Sequence, residues 1–200
     1  MKIKIGVMGS AGESSGASAN DARAGTALAL AQVIAARDLL LLTGATTGLV
    51  YVVGKAAQDA GVFHLGISPA ANNWEHVEKY KLPADACDLI VYTGFGLKGR
   101  NVVLVRSCDI VLFIAGSMGS LNEFTIAHDE GKVIGCLRGT GGVADEADYL
   151  LAKFSKETGA QVFQHTNPAK LVDACIGALR KAGSTRVTEC RQDETSNFSV

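Results

Sequence analysis

The chain has 200 residues, 48% hydrophobic and 20% charged, with a formal net charge of −1, the profile of one soluble globular domain with a substantial core. Balanced charge and abundant aliphatics exclude intrinsic disorder over most of the chain, and there is no Lys/Arg excess to draw a nucleic-acid backbone. The longest uncharged stretch, Leu39 to Gly54, holds three Thr and three Gly in sixteen residues, short of the roughly 20 apolar residues of a membrane span.

The opening MKIKIGVMGS has an apolar run too short for a secretory signal and reads as a first strand, Ile3 to Met8. Gly9-Ser10-Ala11-Gly12 and a run of small polar residues to Asn20 follow, then a helix from Asp21 to Ala36 and a strand from Leu39 to Thr43. A turn, Thr43-Gly44-Ala45-Thr46-Thr47-Gly48, leads into a helix to Ala60 and a strand from Val62 to Ile67. Ala70 to Ala86, with Asn72, Asn73, Trp74 and His76, is a long loop of the kind that often carries function. Beyond it come a strand (Leu89 to Thr93), a helix (Lys98 to Ser107), a strand (Ile110 to Ile114) and the turn Ala115-Gly116-Ser117-Met118-Gly119-Ser120. The chain continues with a helix (Leu121 to Glu130), a strand (Val133 to Leu137), a helix (Ala144 to Glu157), a weak edge strand (Gln161 to Gln164) and a helix (Pro168 to Lys181). The alternation predicts an α/β fold: a doubly wound, Rossmann-like and mostly parallel sheet of about seven strands, with helices on both faces. The strands are almost continuously apolar, as strands covered on both sides are. No repeat or linker divides the chain, so one domain is expected over residues 1–182, with a polar, flexible tail at 183–200.

Five cysteines, Cys87, Cys108, Cys136, Cys175 and Cys190, are an odd number without a CxxC pair, which reads as reduced buried thiols in a cytoplasmic protein. His64, His76, His128 and His165 are scattered, and no zinc spacing is present. Trp74 has two readings, stacking on a base or packing against the domain or a partner subunit.

In a doubly wound sheet ligands bind beyond the carboxyl ends of the strands, where free N–H groups at helix starts attract anions. Three such ends carry small residues: Gly9 and Ser10; Gly44, Thr46, Thr47 and Gly48; and Gly116, Ser117, Met118, Gly119 and Ser120. Together they form a candidate phosphate or nucleotide site. Gly94-Phe95-Gly96-Leu97-Lys98-Gly99 spells GxGxxG, but no acidic residue ends the following strand, which argues against a nicotinamide cofactor. No Walker A triplet is present. Arg100 lies near the start of its helix, where the dipole disfavours a cation and an anionic ligand would offset the penalty. Glu123 stands three residues after Ser120, a spacing open to two readings, a Ser-x-x-Glu capping box or a site carboxylate.

Gly99 to Glu123, GRNVVLVRSCDIVLFIAGSMGSLNE, resembles the core of the LOG family of phosphoribohydrolases, once labelled possible lysine decarboxylases, and of the wider SLOG superfamily. Counting from Arg100, Asp109 comes nine residues later, the Gly116 turn sixteen and Glu123 twenty-three, the offsets of that family's Arg-Lys, Asp and PGGxGTxxE signature. GVMGSAG and TGATTGLV resemble its first phosphate loop and its GGGxxGLM, so the likeness spans about Ile3 to Leu137. The departures are Ala115 for proline, Ser117 for glycine, Ser120 for threonine, Asn101 for lysine, and Ala45-Thr46 for two glycines. The Arg-Asn pair looks more like the branch containing molybdenum cofactor carriers.

The resemblance implies a homodimer with its site near the subunit interface; the residues themselves point to a phosphorylated, nucleotide-like ligand, with no cofactor, no metal and neither nucleic acid nor membrane as partner. One reading is a carrier or sensor of a nucleotide or pterin-type cofactor. The alternative is a nucleoside 5′-monophosphate phosphoribohydrolase, with Arg100 holding phosphate or ribose and Glu123 stabilising the ribosyl cation. Lysine decarboxylation would need a Schiff-base lysine, and none of the eleven lysines falls in the glycine turns.

Overall fold

The computed structural model describes residues 2–11, 22–154 and 156–196, with side chains up to residue 182. The small polar run beyond Ala11, as far as Asp21, lies outside the described residues. Seven strands, β1 (Lys4–Gly9), β2 (Leu40–Thr43), β3 (His64–Ser68), β4 (Leu89–Tyr92), β5 (Ile110–Ile114), β6 (Val133–Leu137) and β7 (Gln161–His165), form one sheet. Its order is β4-β3-β2-β1-β5-β6-β7, and every neighbouring pair is parallel. The chain winds outward from β1 to β4, crosses back to β5 and winds outward again to β7. The direction therefore reverses between β1 and β5, the switch point at which ligands of such sheets bind.

Six helices cover the sheet: α1 (Ala22–Ala36), α2 (Gly48–Asp59), α3 (Gly96–Ser107), α4 (Met118–Asp129), α5 (Gly142–Lys153) and α6 (Pro168–Ser196). One apolar core joins α1, α2 and α6 to the strands through residues such as Leu30, Ile34, Leu49 and Leu171. A second joins the opposite face to α3, α4 and α5 through Leu104, Phe113, Phe124 and Ala147. Two buried layers account for the unbroken apolar runs of β5 and β6, every residue of which is buried. At the β4 edge that cover stops, and Leu89 and Val91 are 53% and 40% exposed.

The elements follow the expected order, and their ends differ from expectation at instructive places. α4 begins at Met118 instead of Leu121, because Met118-Gly119-Ser120 is the first helical turn, with Ser117 extended before it as N-cap. The capping-box reading of Glu123 therefore fails, since it presumed a cap at Ser120. α6 runs on to Ser196, so the backbone of residues 183–196, expected as a tail, is helical. Gly183 weakens a helix by about 1 kcal/mol without ending it. A π-helical turn, Glu75–Lys79, organises the long loop. In the GxGxxG segment the amides of Gly94 and Gly96 donate to Ala70 O (2.8 Å) and Pro69 O (3.0 Å); they tie the turn before α3 to the loop after β3 instead of facing a ligand.

Candidate functional site

β1 and β5 end side by side, and a β-carbon at Gly9 would overlap Ile114 O. This close approach lets Ser10 Oγ accept from Gly116 N at 3.0 Å, while Ser120 Oγ donates to Gly9 O at 3.0 Å. The first and third glycine turns are thus joined across the switch point. The second turn meets them through Arg100. A β-carbon at Gly44 would overlap the Arg100 guanidinium, so only glycine lets this side chain lie across the end of β2.

Arg100 is 6% exposed. Its Nη1 donates to Ile67 O at 3.3 Å, and its buried Nε has no partner. Glu123, 7% exposed, lines the same cavity as Arg100, Gly9, Gly44 and Thr46, with Val7, Met8 and Val50 as the apolar wall. The cavity holds about 20 Å³, room for about one water. No ion pair joins Arg100 to Glu123 among the described residues. Burial lowers the Arg100 pKa, partly offset by Glu123, and burial raises that of Glu123 to about 7 against the pull of Arg100 and Lys98.

Asn101, beside Arg100, is also buried. In one orientation its amide nitrogen donates to Asn122 Oδ1 at 2.9 Å. Turned over, the nitrogen donates to Glu123 Oε1 (3.1 Å) and Leu97 O (3.0 Å), and the oxygen faces the Asn122 side-chain amide at 2.9 Å. With Asn122 turned over as well, so that its nitrogen donates to the Asn101 oxygen, this second orientation satisfies both ends of the Asn101 amide.

Buried hydroxyls hold the strand ends. Thr43 ends β2, accepts from Ala45 N (3.1 Å) and contacts His64 Nε2 (2.8 Å), while His64 Nδ1 contacts Ala86 O. A carbonyl only accepts, so Nδ1 carries the hydrogen and the Thr43 hydroxyl donates to Nε2. Ser68 repeats the device at the end of β3: it accepts from Ala70 N (3.1 Å) and pairs with His76 Nδ1 (2.9 Å), whose Nε2 donates to Pro83 O (3.0 Å). Thr140 holds Ala115 N at 2.8 Å. Ala45 and Ala115 sit at φ +48° and +55°, a conformation costing an alanine about 1 kcal/mol or more, and these bonds hold them there.

Of the residues singled out from sequence, Gly9, Gly44, Thr46, Arg100 and Glu123 meet in one cavity. Ser10, Gly116 and Ser120 stitch the turns together, and the Ser120 hydroxyl is engaged by Gly9 O. Thr47 and Gly48 open α2, while Ser117, Met118 and Gly119 open α4. Met118 is 75% exposed, and Gly119 would have open space around a β-carbon. Sequence reasoning missed Val50, the Asn101 bond to Glu123 and the two histidine clamps. Asn101 was visible only as a departure from a motif. Asp109 lies at the opposite end of the sheet, where its carboxylate accepts from Lys4 N (2.8 Å) and Lys4 Nζ (3.0 Å); its place is structural. Trp74 is exposed in the long loop. Cys108, Cys136 and Cys175 are buried free thiols, and Cys87 is half-buried.

A larger apolar groove of about 260 Å³ lies elsewhere, between α4 and α5, lined by Leu121, Phe124, Leu150 and Phe154 among others. It contains no buried charge. Among the described residues no group of three or more His, Cys, Asp or Glu is placed to hold a metal ion, and no helix is long and apolar enough to cross a membrane.

A family model described as the SLOG cluster4 family matches residues 2–172. An uncharacterized protein of Archaeoglobus fulgidus is 29% identical over 107 residues, 54% of this chain and 65% of that protein; the match thus spans just under two thirds of the relative. Among solved structures, TM1055 superposes with a TM-score of 0.74 at 24% identity, covering 89% of this chain and 99% of that one. The molybdenum cofactor binding protein of Rippkaea orientalis gives 0.68 at 26% identity, covering 91% and 98%. The molybdenum cofactor carrier protein of Chlamydomonas reinhardtii gives 0.69 at 23% identity, covering 90% and 99%.

Proposed function

The chain belongs to the SLOG cluster4 family, and from that premise we propose that it binds a phosphorylated, nucleotide-like ligand at the carboxyl edge of its sheet. In this reading it serves as a carrier or sensor of a nucleotide or pterin-type cofactor. One observation carries the reading: Arg100, a buried cation with an unpartnered Nε, lines a cavity at the switch point. A buried charge without a full set of partners is costly, and a ligand phosphate would supply the missing acceptor and countercharge. Beside it, the start of α4 offers N–H groups of the kind that bind phosphate. The cavity is too small for a whole nucleotide, so the ligand would insert its anionic end and lie across Met118 and Gly119. A cofactor as cargo agrees with the molybdenum cofactor proteins of the same fold.

The shared cavity of Arg100 and Glu123 keeps the hydrolase reading in view. An ionised Glu123 would stabilise a ribosyl cation, yet burial holds its proton up to about pH 7, which weakens that role near neutrality.

Thermal unfolding with AMP and with inorganic phosphate tests the binding reading. A bound ligand is expected to raise the midpoint as its concentration increases, and Gly119→Trp, placed in open space, is expected to keep the fold and abolish that rise. An unaltered rise in the variant would remove the α4 start from the site. Release of free base and ribose 5-phosphate from AMP would replace the carrier reading with hydrolysis.

A further inference from the structure

Asn101 is 4% exposed, and in the turned-over orientation its amide nitrogen reaches from α3 to Glu123 Oε1 at 3.1 Å, anchored on the other side by Leu97 O. We propose that Asn101 is the positioning residue of Glu123, a neutral amide that turns the carboxyl toward the cavity and lets it meet a phosphorylated ligand as a hydrogen-bond donor. The donor half rests on the ligand reading above; the positioning half does not.

A carboxyl facing a phosphate helps only while it carries its proton, because the ionised form repels the ligand. What surrounds Glu123 decides between the two forms. The charged groups acting on it are Arg100, buried, and Lys98, exposed, both on α3. The Cys108 thiol at the end of α3 stays neutral, pushed by burial to about 12. β1 lines the cavity with only Val7, Met8 and Gly9, and the β2–α2 turn with Gly44 and Thr46. β5 and β6 carry no charged residue, and Asp145 of α5 accepts from the amides of Gly139 and Gly141. A lysine at position 101 would add a third cation, this one within hydrogen-bond reach, and draw the proton off. An apolar residue would leave Oε1 without its donor. Asparagine fixes the carboxyl's direction and adds no charge, so Glu123 keeps a proton to about neutral pH.

The test needs no ligand at first. In the full chain with carboxyl-labelled glutamate, Glu123→Gln assigns the Glu123 carbon-13 signal. Asn101→Lys is expected to shift its titration down by about 1–3 pH units, and Asn101→Leu to shift it up, since a donor to the carboxylate is lost. A Glu123 titration unmoved by either variant overturns the positioning role; if the lysine variant fails to fold, the leucine variant decides alone. Ligand affinity then reads the donor half. Above pH 7 wild-type affinity for AMP is expected to fall up to tenfold per pH unit, while Glu123→Gln, which keeps a donor without a titrating proton, holds its affinity apart from the ligand's own ionisation. Equal pH slopes in the two proteins overturn the donor role. No stabilisation by AMP or phosphate at any pH overturns it together with the ligand reading, and the NMR result still decides the place of Asn101.

Discussion

Arg100 and Glu123 were marked by their spacing in sequence, but nothing in that spacing says that both are buried. Burial of Arg100 depends on Gly44, which arrives from a different strand and makes room where any side chain would collide. The consequence for Glu123 is a stability effect with a definite sign. An unfolded glutamate titrates near 4.5 and the folded one near 7. Between those values the native state holds a proton that the unfolded chain has released, so stability falls as pH rises through the window and is lowest above pH 7. Glu123→Gln removes that loss. Urea unfolding is expected to show the variant gaining about 2–3 kcal/mol on wild type between pH 5 and pH 8. A constant difference between the two proteins across that range would place Glu123 in water instead.

At the scale of elements, strands and helices were legible because apolar runs of four to six residues alternate with longer helical stretches. Helix starts were harder to read. Ser117-Met118-Gly119-Ser120 has turn composition, yet three of its residues belong to α4, because the helix is fixed by packing of its inner face and not by the propensity of its first turn. The histidines were read as scattered, since the Thr43–His64 pairing exists only once β2 and β3 are in register. His64 then supplies a second pH effect of opposite sign. Burial lowers its pKa from the usual 6.5, so below that pH the unfolded chain takes up a proton that the native clamp refuses, and stability declines with acid. In wild type the Glu123 effect masks this. In the Glu123→Gln background, unfolding free energy is expected to drop between pH 7 and pH 5, and a flat profile there would show that His64 gains its proton without breaking its bonds.

For the whole molecule, the seven strands and their parallel arrangement were anticipated, whereas their order could not be. The order depends on which helix crosses which face, and periodicity within a strand carries no record of its neighbours. Much of the apolar girth of α1 is covered within the chain by α2 and α6. Apolar surface is left uncovered at the β4 edge, where Leu89 and Val91 extend the face of the second core beyond Leu65 and Val103. An edge strand without lysine, proline or bulge is one that a second chain can pair with. Light scattering at micromolar concentration is expected to return a particle of two chains, and Val91→Lys to return one. A single-chain particle for the native protein would leave the edge unpaired.

The central place of β1 also governs the order in which the molecule comes into being. Its backbone is anchored to Asp109, 105 residues further on, and its register with β5 begins at Ile110. During synthesis β1 and β2 can pair early, but one side of β1 stays an open edge until more than half the chain has emerged. The cavity is more delayed still, because it needs both Val7 and Glu123. Contacts this distant in sequence slow folding, and an open apolar strand invites pairing with the wrong chain while it waits. A fragment ending before β5 would therefore leave the central, buried strand β1 as an open edge and hold no ligand, whatever the integrity of its first two glycine turns.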